Sequence, residues 1–279
     1  MRRHGHLAGP GRQAILQVLF LSGLSAALPV QPLLDEGYRQ MYGLDFPAAH
    51  GAFAEYERVN PSDAMGPVSD AVADLFTEFD RLNILRSDYW LNDKSFFVIN
   101  KSAGDPSLKK HFEESLARGR QLSIIALKGS PDDESALLAN TMVLGLHADY
   151  LALIDKKNLA ALSEMKQSRN LADKLLAVHP EVYDAYIAPG IENYLLSLKP
   201  APVRWILRLA GAETDREAGL RKMRMTAENG HYFLPYARLL LAIADLRDNN
   251  LADANEKLTW LAAQYPGNHI FREELAKLK

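Results

Sequence analysis

Apolar residues recur at three- and four-residue spacing along nearly the whole chain, and no stretch alternates over the length of a strand. That periodicity predicts helices and no sheet. Leu33 to Met41 and Pro47 to Val59 form a first helical pair. Asn60-Pro61-Ser62-Asp63 stops it and restarts the chain, with Ser62 or Asp63 as N-cap of a longer helix, Ala64 to Arg86, whose Val68, Val72, Leu75, Phe76 and Phe79 share one face. Tyr89 to Ser107 is the least regular stretch, a packed connector with the aromatic residues Tyr89, Trp90, Phe96 and Phe97 and the turn Ala103-Gly104-Asp105-Pro106. Helices resume over Ser107 to Lys128, Asp132 to Leu153 and Leu159 to Val178. They continue over Val182 to Leu198, Val203 to Leu209, Asp215 to Glu228, Phe233 to Arg247, Leu251 to Gln264 and His269 to Leu278. Gly145 and Ala148 leave room for a close neighbour, and Thr214-Asp215-Arg216-Glu217 reads as a capping box with Thr214 at the cap.

Two distant stretches carry one ruler. Gly37, Ala49, Phe53 and Pro61 are spaced like Ala242, Ala254, Leu258 and Pro266. This resembles the internal spacing of a tetratricopeptide repeat, in which a small residue on helix A receives helix B and a proline closes the unit. Such a pair cannot bury its apolar face alone, so the pattern implies a stacked array. The fold class expected is all-α, a tetratricopeptide-repeat-like superhelix of about a dozen helices over residues 28–279, with local contacts and low contact order.

A more specific pattern runs from Asp184 to Leu220. Gly190, Tyr194 and Leu198 precede Pro200 and Pro202, then come Trp205, Ile206, Leu209, Gly211, Asp215-Arg216 and Gly219-Leu220. With Phe76-Thr77-Glu78 and Pro180-Glu181-Val182-Tyr183-Asp184-Ala185, this resembles the tetratricopeptide repeat protein 39 family and exported bacterial repeat proteins like it. The resemblance runs from about Leu33 to the C-terminus. It implies a fold and a binding or scaffold role, with no catalytic residues to carry over. Thr214 stands where the pattern has a glycine.

Composition narrows the function classes. With 48% hydrophobic and 24% charged residues the chain is of ordinary globular type. A net charge of −3 argues against nucleic acid as partner, and the absence of cysteine removes disulfides, thiolate metal sites and cysteine nucleophiles. Arg2, Arg3 and Arg12 precede the apolar run Ala14 to Leu28, which ends in Ser25-Ala26-Ala27. Residues 1–27 are therefore expected to be a signal peptide, making the protein periplasmic or secreted, with membrane association only if that segment stays uncleaved.

The motifs of common chemistries are missing. There is no H-E-x-x-H and no G-x-S-x-G, and Gly5, Gly9 and Gly11 precede no strand. Asp132-Asp133-Glu134 reads as the first turn of a helix, and His147 with Asp149 or His231 with Tyr232 read as surface or capping residues. The basic run Arg204, Arg208, Arg216, Arg221, Lys222 and Arg224 reads as a solvated face paired with Glu213, Glu217 and Glu228. No enzyme activity, cofactor or metal is expected. The expected role is a scaffold holding a protein or peptide in the concave groove, on Tyr38, Met41, Tyr42, Tyr194 and Arg247, with Ile243 and Leu246 beside them. The alternative is an assembly role through the Pro-bounded hairpin or the convex face, and a large exposed apolar patch on that hairpin would favour it.

Overall fold

The computed structural model describes residues 30–91 and 104–278. The expected signal segment, the Gly5/Gly9/Gly11 run, Phe96, Phe97 and Ala103 lie outside the described residues. Within them the chain forms thirteen α-helices and no strand: α1 Val30–Tyr42, α2 Phe46–Val59, α3 Met65–Arg81, α4 Ser87–Leu91, α5 Pro106–Gly129, α6 Glu134–Asp149, α7 Asn158–Val178, α8 Ile187–Ser197, α9 Ala201–Leu209, α10 Arg216–Asn229, α11 Leu234–Arg247, α12 Leu251–Gln264 and α13 His269–Ala276. A π-helical turn, Tyr150–Ile154, extends α6, and a 3-10 turn, Tyr183–Tyr186, leads into α8.

The helix ends follow from identifiable caps. Asp105 accepts from the Ser107 and Leu108 amides and Pro106 opens α5, where a missing N–H costs nothing. Asp133 caps α6 through the Ala136 amide and Glu134 lies in its first turn, while Asp132 precedes the cap. The helix expected to reach Arg86 stops at Arg81, with Asn83 at φ 58 turning the chain toward α4. The cap expected at Thr214 falls one residue later. Asp215 accepts from the Ala218 amide at 3.0 Å, while Thr214 is buried and its hydroxyl accepts from Arg208 Nε at 2.6 Å.

Helices pack mostly on their sequence neighbours, α1 on α2, α6 on α7 and α11 on α12 among them. In the first pair, a Cβ placed on Gly37 would lie 2.2 Å from Phe53 Cε1, so only glycine lets α2 seat that ring. Between α8 and α10 the backbones touch, since a Cβ on Gly219 would lie 2.6 Å from the Tyr194 amide and 2.8 Å from the Gly190 carbonyl oxygen. α6 with its π turn is long and apolar enough to cross a bilayer by composition, yet 67% of its most apolar window is buried and it serves as a core helix.

The contacts are not all local. Tyr38 stacks on Tyr232 at 4.7 Å, and Asn268 Nδ2 donates to the Tyr42 carbonyl oxygen at 2.9 Å. Arg86 pairs with Glu273, Ser87 donates to Glu274, and Lys277 reaches Asp88 at 2.8 Å. The first helices and the last are thus packed on each other. The packing stays mostly sequential, as expected, and these side-chain contacts between the first helices and the last are added to it.

Candidate functional site

The residues expected to line a groove are where that closure occurs. Tyr38 and Tyr42 are each 4% exposed and Met41 0%, enclosed by Phe53, Phe76, Tyr232, Phe233 and Tyr265. The Tyr38 hydroxyl lies 3.1 Å from Ser69 Oγ. Tyr194 is buried between α8 and α10 with the Arg216 guanidinium 5.8 Å from its ring centre, and Arg247 donates to the Trp90 carbonyl oxygen at 2.8 Å. Ile243 is buried as well. Arg247 is partly exposed, while Tyr38, Met41, Tyr42, Tyr194 and Ile243 offer no open contact surface. Their area and low side-chain entropy serve the core.

The interior does retain space. A cavity of about 60 Å³ is lined by residues of α3, α6, α7, α8 and α11, among them Phe76, Met142, Met165 and Tyr236, with Asp149 at its wall. A smaller one of about 20 Å³ shares Asp149, Ile191 and Tyr236 and adds Trp90, Tyr194 and Met223. Such volumes admit water, since one molecule needs roughly 10 to 15 Å³, but fall well short of the ~150 Å³ that admits benzene. Asp149 is partly exposed and lines both cavities. Burial raises its carboxyl to about 7. Size excludes a peptide here.

The hairpin helix α9 is the opposite case. Pro200 and Pro202 set its start, Gly211 at φ 81 ends it, and none of its nine residues is buried. Trp205 is 64% exposed, Ile206 60% and Leu209 70%, with Val203 and Pro202 also exposed. Pro202, Trp205, Ile206 and Leu209 stand at positions i, i+3, i+4 and i+7, so they form one apolar stripe. The arginines turn the other way. Arg204 donates to the Lys199 carbonyl oxygen at 2.9 Å and Arg208 to Thr214. An amphipathic helix ordinarily buries its apolar face; here that face looks outward. In the rest of the basic run Arg216 pairs with Glu217 and Asp248 and Lys222 with Glu213.

Titratable side chains meet elsewhere. His147 pairs with Glu164 at 2.6 Å and His231 with Asp35 at 2.7 Å, stacked on Tyr232, so both have the ordinary surface roles expected of them. Glu134, His179 and Glu181 gather at the mouths of two helices, largely in water. Asp70, Asp74 and His111 gather against the body, with His50 beside them. Burial raises Asp74 to about 6 against the pull of the two imidazoles. Sequence reading missed this second group because its members come from three helices. The available signal was Asp70 and Asp74, two carboxylates one turn apart in a mostly apolar stretch of helix from Val68 to Phe76.

No protein-family model matches the chain, and no curated protein matches it.

Proposed function

We propose that the protein is a non-enzymatic assembly component, built of tetratricopeptide-like helical hairpins, that docks onto a protein partner by inserting α9 into an apolar groove. The observation that carries this reading is the outward stripe Pro202, Trp205, Ile206 and Leu209. Helix-in-groove recognition uses anchors at i, i+3, i+4 and i+7, and tryptophan is the residue type that most often dominates such contacts. A membrane surface is the weaker occupant. Interfacial helices offer cations beside the apolar face to lipid headgroups, whereas Arg204 and Arg208 are engaged with their own chain. The closed packing around Tyr38, Met41 and Tyr42 favours the hairpin over the concave side in this reading.

The test is site-specific photo-crosslinking in the native cell, with the probe at Leu209, at Trp205 and at the exposed control Glu256 on α12. A discrete adduct from the α9 positions alone, lost when Ile206 is changed to Asp, supports the reading. Equal labelling at Glu256 or survival of the adduct in Ile206→Asp sinks it. Flotation with vesicles of anionic phospholipid, dependent on Trp205, would reassign the stripe to lipid.

A further inference from the structure

Helix α3 presents two carboxylates, and two imidazoles meet them. Asp70 and Asp74 are four residues apart and so project from one side of α3, a turn apart. His50 arrives from α2 and His111 from α5. His50 Nδ1 lies 2.5 Å from Asp70 Oδ1, and its Nε2 lies 3.6 Å from Asp74 Oδ1. His111 Nδ1 lies 2.8 Å from Asp74 Oδ2, and its Nε2 lies 3.6 Å from Asp70 Oδ2. The two rings are 5.9 Å apart and steeply inclined. Ligand atoms of Asp70, Asp74 and His111 all fall within 4.8 Å of one another.

We propose that His50, Asp70, Asp74 and His111 form a mononuclear site for a divalent metal ion of the zinc class. The inference is independent of any role of α9. Two imidazole nitrogens with two carboxylate oxygens are a donor set that zinc accepts in four-coordinate sites, and the carboxylates neutralise the ion's charge. Ligands at about 2.0 to 2.2 Å from a tetrahedral ion lie roughly 3.3 to 3.5 Å from one another. One donor atom each from Asp70, Asp74 and His111 already lies within 4.8 Å of the others, and side-chain rotation, including a turn of His50 toward the same point, would bring the set to that spacing.

The surroundings fit as well. A cleft of about 640 Å³, lined by Asp70, His111, Ser115, Glu57 and Arg118, opens onto the cluster and provides an entry path. Asp74 is 2% exposed in its side chain and His111 53%, so the inner ligand is fixed and the outer one closes over the ion. The Ser115 hydroxyl donates to Asp70 Oδ2 at 3.5 Å, a contact that orients the carboxylate. As a plain ion-pair network, the cluster would leave the desolvation of Asp74 offset mainly by a half-exposed histidine. A doubly charged ion offsets it directly. In a chain without cysteine, such an ion supplies the cross-link between α2, α3 and α5 that a disulfide cannot.

The test uses the full chain stripped with a chelator, titrated with zinc by calorimetry and with cobalt by visible absorption. One zinc per chain, intense tetrahedral cobalt bands displaced by zinc, and a higher melting temperature with zinc are expected. His111→Ala changes a half-exposed side chain, so it should fold by circular dichroism yet bind zinc at least ~100-fold more weakly and lose the cobalt bands. His179→Ala, in the other cluster, should bind as the parent does. A parent chain with no cobalt bands and no one-to-one zinc isotherm would leave the four residues an ion-pair network and overturn the proposal. So would loss of the ion in His179→Ala rather than in His111→Ala.

Discussion

The Tyr42 hydroxyl donates to the Tyr232 carbonyl oxygen at 2.8 Å, joining residues 190 positions apart. Both groups are buried, so removing the donor leaves a carbonyl without that partner in the core. Tyr42→Phe should lower stability by about 1 to 2 kcal/mol in urea unfolding, with the midpoint shifted and the slope retained. An unchanged midpoint would mean the two ends are held by apolar contact alone.

Gly37 faces the ring of Phe53 with no room for a methyl group. Gly37→Ala should cost roughly 1 to 3 kcal/mol through overpacking, although alanine favours helix over glycine in isolation. Thermal melting of the single variant, beside Gly51→Ala where a Cβ meets nothing within 4 Å, separates packing from propensity.

Asp184 explains why its motif matters physically. Its buried carboxyl accepts from the amides of His231, Tyr232 and Phe233 at 2.9 to 3.1 Å, fixing the start of α11 against the 3-10 turn. Burial raises its pKa while those three amides hold it down. Asp184→Ala strands the amides and should cost ~3 kcal/mol or more, with hydrogen exchange accelerating first at the N-terminus of α11.

Asp149 gives stability a pH dependence of definite sign. Its pKa is about 7 in the folded chain against 3.8 ordinarily. Between those values the folded state holds a proton that the unfolded state has released. This group's contribution is therefore full below about pH 4 and is lost as pH rises toward 7, by roughly 2 to 4 kcal/mol. Asp149→Asn should remove that slope, as measured by urea unfolding at pH 4.5 and pH 8.

The α9 stripe should be silent in folding. Leu209→Asp alters a side chain in water and should change stability by no more than about 0.5 kcal/mol, leaving its effect on crosslinking to be read without a folding defect. A large loss of stability would place the stripe in a contact within the chain.

Much of this architecture was legible because its rules are local. Proline, glycine and acid positions set the helix ends, and the spacing of Gly37, Ala49 and Phe53 anticipated the α1–α2 seat. The capping box slipped by one residue because Thr214 is drawn inward by Arg208, a contact six positions back across a turn. The closure was not legible. Tyr38, Met41 and Tyr42 have the same spacing whether they face an open groove or another hairpin, and no sequence interval encodes a partner nearly two hundred residues away. The same limit hid His50 and His111, each an unremarkable histidine until α3 brings Asp70 and Asp74 between them.

Packing the first hairpin on the last changes what the chain can tolerate in its own history. An open stack of helical pairs can gain or drop a unit in the middle, because each pair meets only its neighbours. Here an inserted pair would carry Tyr232 and Asn268 away from Tyr42, and Glu273 away from Arg86. The contacts of Tyr42 and Arg86 with the C-terminal helices thereby limit how many units can lie between them.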